Sequence, residues 1–241
     1  RTVSRGLGDV YKRQEYTLST AFDVSTASHV DTLSVSAQDT YPKGHAFNSD
    51  GTKMFVVGLT GKDVNEYTLS TGFDVSTASF VDSFSVSSQE TAPVGITFNT
   101  DGTKMFVIGH SGADVNEYTL STGFDVSTAS YDSSFSVSSQ ERYPSSVTFS
   151  NDGKKMFVIG INDDEVNEYS LSTGFDVSTA SFVGNFSVSP GVPAPNCLAF
   201  NNDGTKMFVG DHLGKDINEY TLTTPFSLVD VSGEHTGDVI D

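Results

Sequence analysis

A long internal repeat constrains this chain more than any other feature of its sequence. The dipeptide Glu-Tyr recurs every 51 residues, and residues 66–79 are identical to residues 117–130. The repeated glutamates are Glu15, Glu66, Glu117, Glu168 and Glu219. Repeats of this length are units that bury their faces against neighbouring units, so the pattern predicts one continuous array rather than independent domains.

Within each unit the hydrophobic pattern is typical of strands, and no segment of eleven or more residues shows helical spacing. In the copy around Glu117 the pattern predicts strands A to D at 95–99, 104–109, 116–121 and 131–138. A Thr-Asp-Gly turn joins A to B, because glycine readily adopts the positive φ that tight hairpins need. Strand B is apolar at four successive positions, which indicates burial on both faces.

Four-stranded antiparallel units of this length predict an all-β protein with the fold of a β-propeller. The repeat supplies about four blades plus a half blade, the extra C–D pair at 15–36. Two arrangements stay open: the strand at 29–36 completes a four-bladed ring, or the chain is an arc of a ring with five to eight blades. The near-identical units favour the arc and a longer parent chain. A parallel β-helix is the alternative fold, but its rungs usually repeat at shorter periods and lack Asp-Gly hairpins.

The A–B hairpin carries a resemblance to known propellers. The run F-N-x-D-G-T-K-M-F-V-x-G, from Phe98 to Gly109 and at three equivalent places, is similar to the F-S-P-D-G-K-K-L-Y-V hairpin of bacterial propellers of the YVTN, TolB-type and lactonase-like groups. The resemblance covers residues 15 to about 230 and implies the propeller fold. The proline of that hairpin is replaced in every copy here. The motif is structural, so the resemblance implies little about activity.

Three segments differ in their relation to the repeat. Residues 1–14 lie outside it and look like a translated adapter or junction sequence of an assembled environmental reading frame, with a short native arm as the alternative. Residues 15–232 form the propeller repeats, and residues 233–241 are predicted to be a loose tail. Cys197, the single cysteine, is predicted to be a small buried hydrophobe in a strand.

The charge excludes some partners. A formal net charge of −18 argues against nucleic acid, whose binding depends on Lys and Arg. No apolar run of 18 residues occurs, so no transmembrane helix is predicted. We expect an exported protein, in the periplasm, at the cell surface or secreted.

The repeated polar residues have structural explanations. The Asn-Ser-Asp-Gly turn at 48–51 could be half of a calcium loop, but the lysine that follows opposes a metal, so a turn is favoured. Glu117 and its equivalents recur with a lysine on the adjacent strand, Lys104 in this copy, which predicts a structural Glu–Lys or Glu–backbone interaction in each sheet. The five histidines occupy different places in the repeat, and only His45 lies on a strand A. No catalytic residue, metal or cofactor is predicted.

The copies differ mainly in two loops. The B–C and D–A loops vary, whereas the A–B turn and the C–D connection barely change. In a meander blade the B–C and D–A loops emerge on the same face, and loops on a rigid scaffold often carry binding; sequence drift is the alternative. We predict a non-enzymatic binding or scaffold module with an unknown protein, glycan or cation at this rim. The alternative is a lactonase-like or other hydrolytic propeller, which should show unique convergent groups in one or two blades.

Eight rim residues are candidates for binding. An acidic residue precedes strand C in each unit, and such a ring would focus a negative potential that attracts cations or a basic protein surface. Aromatic and imidazole groups in the variable loops would add specificity. The alternative for each acid is that it caps its own turn by accepting backbone N–H bonds. The candidates are Asp63, Asp114, Glu165, Asp216, Tyr41, His110, Tyr143 and His212.

Overall fold

The computed structural model describes residues 2–4, 11–189, 191–229 and 231–236. This part of the chain is all-β: four four-stranded antiparallel sheets are arranged as the blades of a β-propeller, and a three-stranded sheet precedes them. The N-terminal sheet consists of β1 (Thr2–Ser4), β2 (Lys12–Leu18) and β3 (Ala27–Ser34). The propeller fold and the 51-residue blade are therefore confirmed.

Each blade contains strands A to D in chain order. Blade 1 consists of β4 (Pro42–Phe47), β5 (Lys53–Gly58), β6 (Asp63–Leu69) and β7 (Ala78–Ser85). Blade 2 consists of β8 (Pro93–Phe98), β9 (Lys104–Gly109), β10 (Asp114–Leu120) and β11 (Ala129–Ser136). Blade 3 consists of β12 (Pro144–Phe149), β13 (Lys155–Gly160), β14 (Glu165–Leu171) and β15 (Ala180–Ser187). Blade 4 consists of β16 (Pro195–Phe200), β17 (Lys206–Asp211), β18 (Ile217–Leu222) and β19 (Val231–Thr236).

Strand B forms the centre of each core. In β9, Met105 and Val107 pack in the cluster shared with blade 1, whereas Phe106 and Ile108 pack in the cluster shared with blade 3. All four side chains are fully buried. The prediction that strand B is buried on both faces is confirmed, and it explains why this strand does not alternate between polar and apolar residues.

The outer strand begins two residues earlier than predicted. Strand β11 spans Ala129–Ser136 rather than 131–138, because a 3₁₀ turn at Val126–Thr128 ends directly at Ala129. Asp125 caps this turn by accepting a hydrogen bond from the Ser127 backbone N–H. The helical segments that the structure describes are short turns of this kind, and none has the length and hydropathy of a membrane span.

The two ends of the chain depart from the prediction. Residues 12–14, assigned to the segment outside the repeat, begin β2, and the buried Arg13 donates a hydrogen bond to the Lys43 carbonyl at 3.0 Å. Residues 233–236, predicted to be loose, belong to β19, which pairs with β18. The hydrogen bonds of a strand ladder join backbone groups, so pairing does not require the apolar periodicity on which the prediction depended. Residues 5–10 and 237–241 lie outside the described residues.

The N-terminal sheet lies between blades 1 and 4. The Val75 backbone N–H donates to the Glu15 carboxylate at 3.0 Å, and Lys206 Nζ donates to the Phe22 carbonyl at 3.2 Å. Strand β3 pairs with β2 and does not complete blade 4, so of the two arrangements left open, the four-bladed ring completed by residues 29–36 is not the one observed. In the described part of the chain, this fifth sheet has strands in positions B, C and D but no inner strand A.

Cys197 lies on a strand, β16, but it is exposed. Its prediction as a buried residue was therefore wrong. The equivalent residue of blade 2, Gly95, lies against the backbone of Ser145 and Ser146 on the next inner strand. The Cys197 Sγ lies beside Gly210 of β17, where a methyl group added to that glycine would fall 2.4 Å from it.

Candidate functional site

The B–C and D–A loops of blades 1 to 4, here called the variable rim, lie on one face. In each blade, the first residue of the B–C loop donates a backbone hydrogen bond to the residue before the inner-strand proline. The four bonds are Leu59 to Tyr41 (3.1 Å), His110 to Ala92 (3.1 Å), Ile161 to Tyr143 (3.3 Å) and His212 to Ala194 (3.0 Å). The predicted grouping of the two variable loops is confirmed.

The A–B turns and C–D connections form the opposite side, here called the invariant face. Each blade has an ion pair there between strand B and strand C: Lys53–Glu66 at 2.7 Å, Lys104–Glu117, Lys155–Glu168 at 2.9 Å and Lys206–Glu219 at 2.5 Å. The predicted structural Glu–Lys interaction is confirmed.

The same pairs also join successive blades. Lys104 Nζ donates to the Phe175 carbonyl of blade 3 at 2.9 Å, and Glu117 accepts the Val177 backbone N–H at 2.9 Å. Burial raises the pKa of Glu117, although Lys104 and the Val177 N–H act in the opposite direction. The pair is therefore a clamp on the neighbouring C–D connection, and the repeated residues are explained by blade packing.

Buried carboxylates anchor the loops of the variable rim. Glu90 accepts backbone N–H bonds from Ala92 at 2.6 Å, Ser111 at 3.1 Å and Gly112 at 3.1 Å, so it joins the D–A loop to the B–C loop. Asp39 and Glu141 occupy the equivalent positions and accept the N–H groups of Tyr41 and Tyr143. All three are buried. These three carboxylates accept the backbone N–H bonds that fix the rim loops, a role that the sequence offers as the alternative for the acids before strand C.

Blade 4 supplies this carboxylate from the end of strand B instead of from the D–A loop. A methyl group added to Gly109 would lie 2.4 Å from the Glu90 carboxyl carbon, so the acid fills the space beside the glycine. Blade 4 has Val192 in place of the acid and Asp211 in place of the glycine. Asp211 accepts the N–H groups of Ala194 at 3.2 Å and Leu213 at 2.9 Å. The two replaced positions, 192 and 211, lie nineteen residues apart, as Glu90 and Gly109 do. A comparison of both positions across the four blades would have identified these anchoring carboxylates from the sequence.

The predicted rim acids lie at equivalent places, each partly buried. Asp63, Asp114 and Glu165 begin strands β6, β10 and β14, and Asp216 directly precedes β18. Glu165 is paired with the Asn185 amide, and Asp216 accepts from the Asn218 amide at 3.2 Å. Burial, and then the carboxylate of Asp211, raise the pKa of Asp216. Each acid belongs to its own blade, so a shared role as a ring stays a prediction.

Three successive blades bring a cation and aromatic groups together on the rim, in what we call the aromatic sector: Tyr41, Lys43, His110 and Tyr143. Lys43 Nζ lies 4.5 Å from the centre of the Tyr41 ring, and the His110 and Tyr143 rings meet edge to face at 5.9 Å. Tyr41 and Tyr143 are 42% and 50% exposed. These rings can be reached from solvent while neighbouring groups hold them in place.

The surroundings of His110 favour its uncharged form. Burial lowers its pKa below the ordinary 6.5, the Lys43 ammonium lowers it further, and Glu90 acts against both. His212, the other predicted histidine, is exposed on the B–C loop of blade 4 and lies outside the aromatic sector. Within the described ranges, no group of three or more His, Cys, Asp or Glu side chains is arranged to hold a metal ion.

Comparison with known proteins supports the fold. No protein family and no curated protein matches the sequence. Solved structures do: a protein provisionally named 6-phosphogluconolactonase from Bacteroides uniformis (TM-score 0.60, 13% identity, 95% of this chain and 66% of that one) and another from Bacteroides fragilis (0.58, 14%, 94% and 65%). The periplasmic gluconolactonase PpgL of Pseudomonas aeruginosa also matches (0.53, 14%, 95% and 67%). The chain spans just under two thirds of the length of the first two. At these identities the likeness establishes a bacterial β-propeller fold.

Proposed function

We propose that this chain is a non-enzymatic binding module that takes a glycan at the aromatic sector. The observation that carries the proposal is the contact between His110 of blade 2 and Tyr143 of blade 3, beside the Tyr41–Lys43 pair of blade 1. These residues differ between blades, so they make one sector of a repetitive disc unlike the others. A specific ligand needs such a sector.

The chemistry of the sector suits a hydroxyl-rich ligand. Exposed tyrosine rings offer apolar faces with a hydroxyl at the edge, and few polar groups around such a surface are enough to orient a ligand. Lys43 donates hydrogen bonds, and the neutral imidazole of His110 can donate or accept. The buried carboxylate of Glu90 holds the loop that carries His110, since it accepts the N–H groups of Ser111 and Gly112. A rigid loop reduces the entropy lost on binding.

A lactonase-like hydrolase is the second candidate, and the names of the structural neighbours favour it. Lactone hydrolysis requires a base to activate water and a positive group near the developing oxyanion. Neutral His110 and the Lys43 ammonium are the described residues that would supply these groups. The two candidates therefore share a sector and differ in whether bonds are broken there.

Nuclear magnetic resonance can test the binding proposal. The ¹⁵N-labelled chain is titrated with cellohexaose, xylohexaose and mannohexaose, and we expect one of them to shift the amides of Tyr41, His110 and Tyr143. The Tyr41→Ala/Tyr143→Ala variant should lose these shifts. Tyr131→Ala is the matched control, because Tyr131 is equally exposed but lies on the outer strand β11. Shifts confined to the invariant face, or unchanged in the double variant, would contradict the proposal.

The hydrolase is tested on the same samples. Glucono-1,5-lactone is followed by pH-stat with and without the chain, and a binding module should leave the spontaneous rate unchanged. Acceleration that is lost in His110→Ala would establish the second candidate instead.

A further inference from the structure

Blade 4 brings two carboxylates together on the variable rim. Asp211 ends β17, and Asp216 ends the B–C loop that follows. The backbone holds them at the base of this loop, because the Asp211 N–H donates to the Asp216 carbonyl at 3.0 Å. The loop residue Gly214 lies between the side chains: a methyl group added to it would lie 2.6 Å from Asp211 Oδ2 and 3.0 Å from Asp216 Oδ1. The two oxygens therefore face a common space that only a glycine leaves open.

One of these oxygens is buried without a hydrogen-bond donor. Asp211 is 5% exposed, and its Oδ1 accepts the N–H groups of Ala194 and Leu213. Its Oδ2 is also buried and has no hydrogen-bond partner in the part of the chain that the structure describes. Buried polar atoms are nearly always paired, and burying an ionised group without compensation is costly. The unpaired oxygen is the one that shares the space beside Gly214 with Asp216.

Blades 1 and 2 satisfy the equivalent oxygen. There the second oxygen of the anchoring carboxylate accepts the N–H group of the loop glycine: Asp39 Oδ2 accepts from Gly61 at 3.0 Å, and Glu90 Oε2 accepts from Gly112 at 3.1 Å. In blade 4 the carboxylate reaches the loop from the end of β17, and the bond to Gly214 is not made. The exchange in blade 4 therefore keeps the anchor for the loop but leaves one oxygen without a donor.

Blade 3 shows which feature is particular to blade 4. Among the described residues, Glu141 Oε2 of blade 3 also has no hydrogen-bond partner. However, the acid before strand C, Glu165, is paired with the Asn185 amide on β15, and Asp163 stands where the other three blades have glycine. In blade 4 the glycine is present, and the unpaired oxygen faces the acid before strand C.

A buried amide lies against the same pair. Asn218 is fully buried, its Nδ2 donates to Asp216 Oδ1 at 3.2 Å, and its Oδ1 has no hydrogen-bond partner within the described ranges. The Nδ2 of the equivalent Asn65, Asn116 and Asn167 is unpaired. The amide of blade 4 is thus bonded to the acid before strand C, and it brings a further buried oxygen beside the two carboxylates.

We propose that Asp211, Asp216 and Asn218 form a calcium site in blade 4. Ca²⁺ binds carboxylate and amide oxygens together with backbone carbonyls and water, about six to eight ligands in all, so the B–C loop and solvent would supply the rest. The set contains two acids, and the amide supplies the third side-chain oxygen. A divalent cation would also relieve the repulsion by which Asp211, after burial, raises the pKa of Asp216. The site lies on the variable rim outside the aromatic sector, so it is independent of the proposed glycan site.

Calcium titration of the full chain tests this site. The ¹⁵N-labelled chain is freed of metal with a chelator and titrated with CaCl₂ in about 0.15 M NaCl, which screens diffuse attraction of cations to a net charge of −18. Calorimetry should give one ion per chain with a Kd of about 10⁻⁴ M or tighter, and the amides of residues 211–218 should shift. Mg²⁺ should bind roughly tenfold more weakly, because it demands near-ideal octahedral geometry and dehydrates reluctantly.

A pair of equivalent variants locates the ion. Asp216→Asn removes one carboxylate and leaves the anchoring Asp211 in place, so this variant should fold and bind calcium at least tenfold more weakly. Asp114→Asn in blade 2 is the matched control, because Asp114 also lies beside the loop glycine, Gly112, but the nearby Glu90 oxygen is already paired there. The control should keep the calcium affinity and the amide shifts of the wild type.

Three outcomes would overturn the proposal. One is the absence of saturable amide shifts in blade 4 at millimolar CaCl₂. Another is an equal loss of calcium affinity in Asp216→Asn and Asp114→Asn, because the ion would then respond to the rim acids as a group. The third is equal affinity for Mg²⁺, which would exclude a site selective for calcium.

Discussion

The invariant face and the variable rim differ in how closely their residues repeat from blade to blade. On the invariant face, blades 1 to 3 repeat the same clamp, in which a lysine and a glutamate bind the next C–D connection. On the variable rim, a buried carboxylate holds the loops of each blade, but the residues it displays change from blade to blade. The difference indicates that contacts between blades require the same residues in each copy. A rim loop requires only a carboxylate that holds its backbone, so its other residues can vary. We therefore expect substitutions on the invariant face to affect stability and those on the displayed rim to affect binding.

The largest loss of stability is expected from Gly102→Ala on the invariant face. Gly102 has a φ of +73°, and an added methyl group would lie 2.2 Å from the Phe124 ring. Left-handed strain and overpacking each cost about 1–3 kcal/mol, so we expect roughly 3 kcal/mol or more in the free energy of unfolding. Urea denaturation measures it. Gly184→Ala, where a methyl group would meet open space, should change stability by less than about 0.5 kcal/mol.

The clamp is expected to be next in size. Glu117→Gln weakens the hydrogen bonds to Lys104 and to the Val177 N–H, and bonds to charged groups contribute about 1.5–3 kcal/mol. We expect a loss of about 2–3 kcal/mol by urea denaturation. Glu165→Gln on the rim is the matched control and should be nearly neutral. Equal losses in the two variants would remove the distinction between the faces.

The exchange in blade 4 sharpens the comparison within the rim. Asp211→Gly leaves the N–H groups of Ala194 and Leu213 without their acceptor, which should cost about 1–3 kcal/mol. Adding Val192→Glu restores the arrangement of blades 1 to 3. A double-mutant cycle should then show a favourable coupling of about 0.5–3 kcal/mol. If the changes in unfolding free energy of the two single variants simply add in the double variant, a glutamate at position 192 does not replace the acceptor that Asp211 provides.

The fold could be predicted from the sequence because the repeat multiplies each local signal. Strand B of blade 2 was predicted at 104–109 and spans Lys104–Gly109. The Glu–Lys pairing followed from two residues on adjacent strands. The anchoring role of Glu90 was missed, because it is visible only when a position in the D–A loop and a position at the end of strand B are compared together. The contact between His110 and Tyr143 crosses two blades, and repeat spacing alone does not give the rotation between blades.

The smallest effect concerns pH. Because the pKa of His110 is lowered by burial, the folded protein binds this proton less readily than the unfolded chain. Stability should therefore be fully present above the ordinary pKa of 6.5 and fall as the pH drops below it, by less than about 1 kcal/mol for a partly exposed ring. His110→Gln should reduce the difference between urea denaturation at pH 7 and pH 5, and His212→Gln should not. A larger pH dependence in His110→Gln would contradict the assigned burial.

The most direct test of the division between the faces measures glycan binding and thermal unfolding together in two variants. Tyr41→Ala/Tyr143→Ala should lose the hexasaccharide-induced amide shifts while its melting temperature stays within about 2 °C of the wild type. Glu117→Gln should keep the shifts at low temperature and melt roughly 4–10 °C lower. The reverse result, with binding lost in Glu117→Gln and stability lost in the tyrosine variant, would contradict the account.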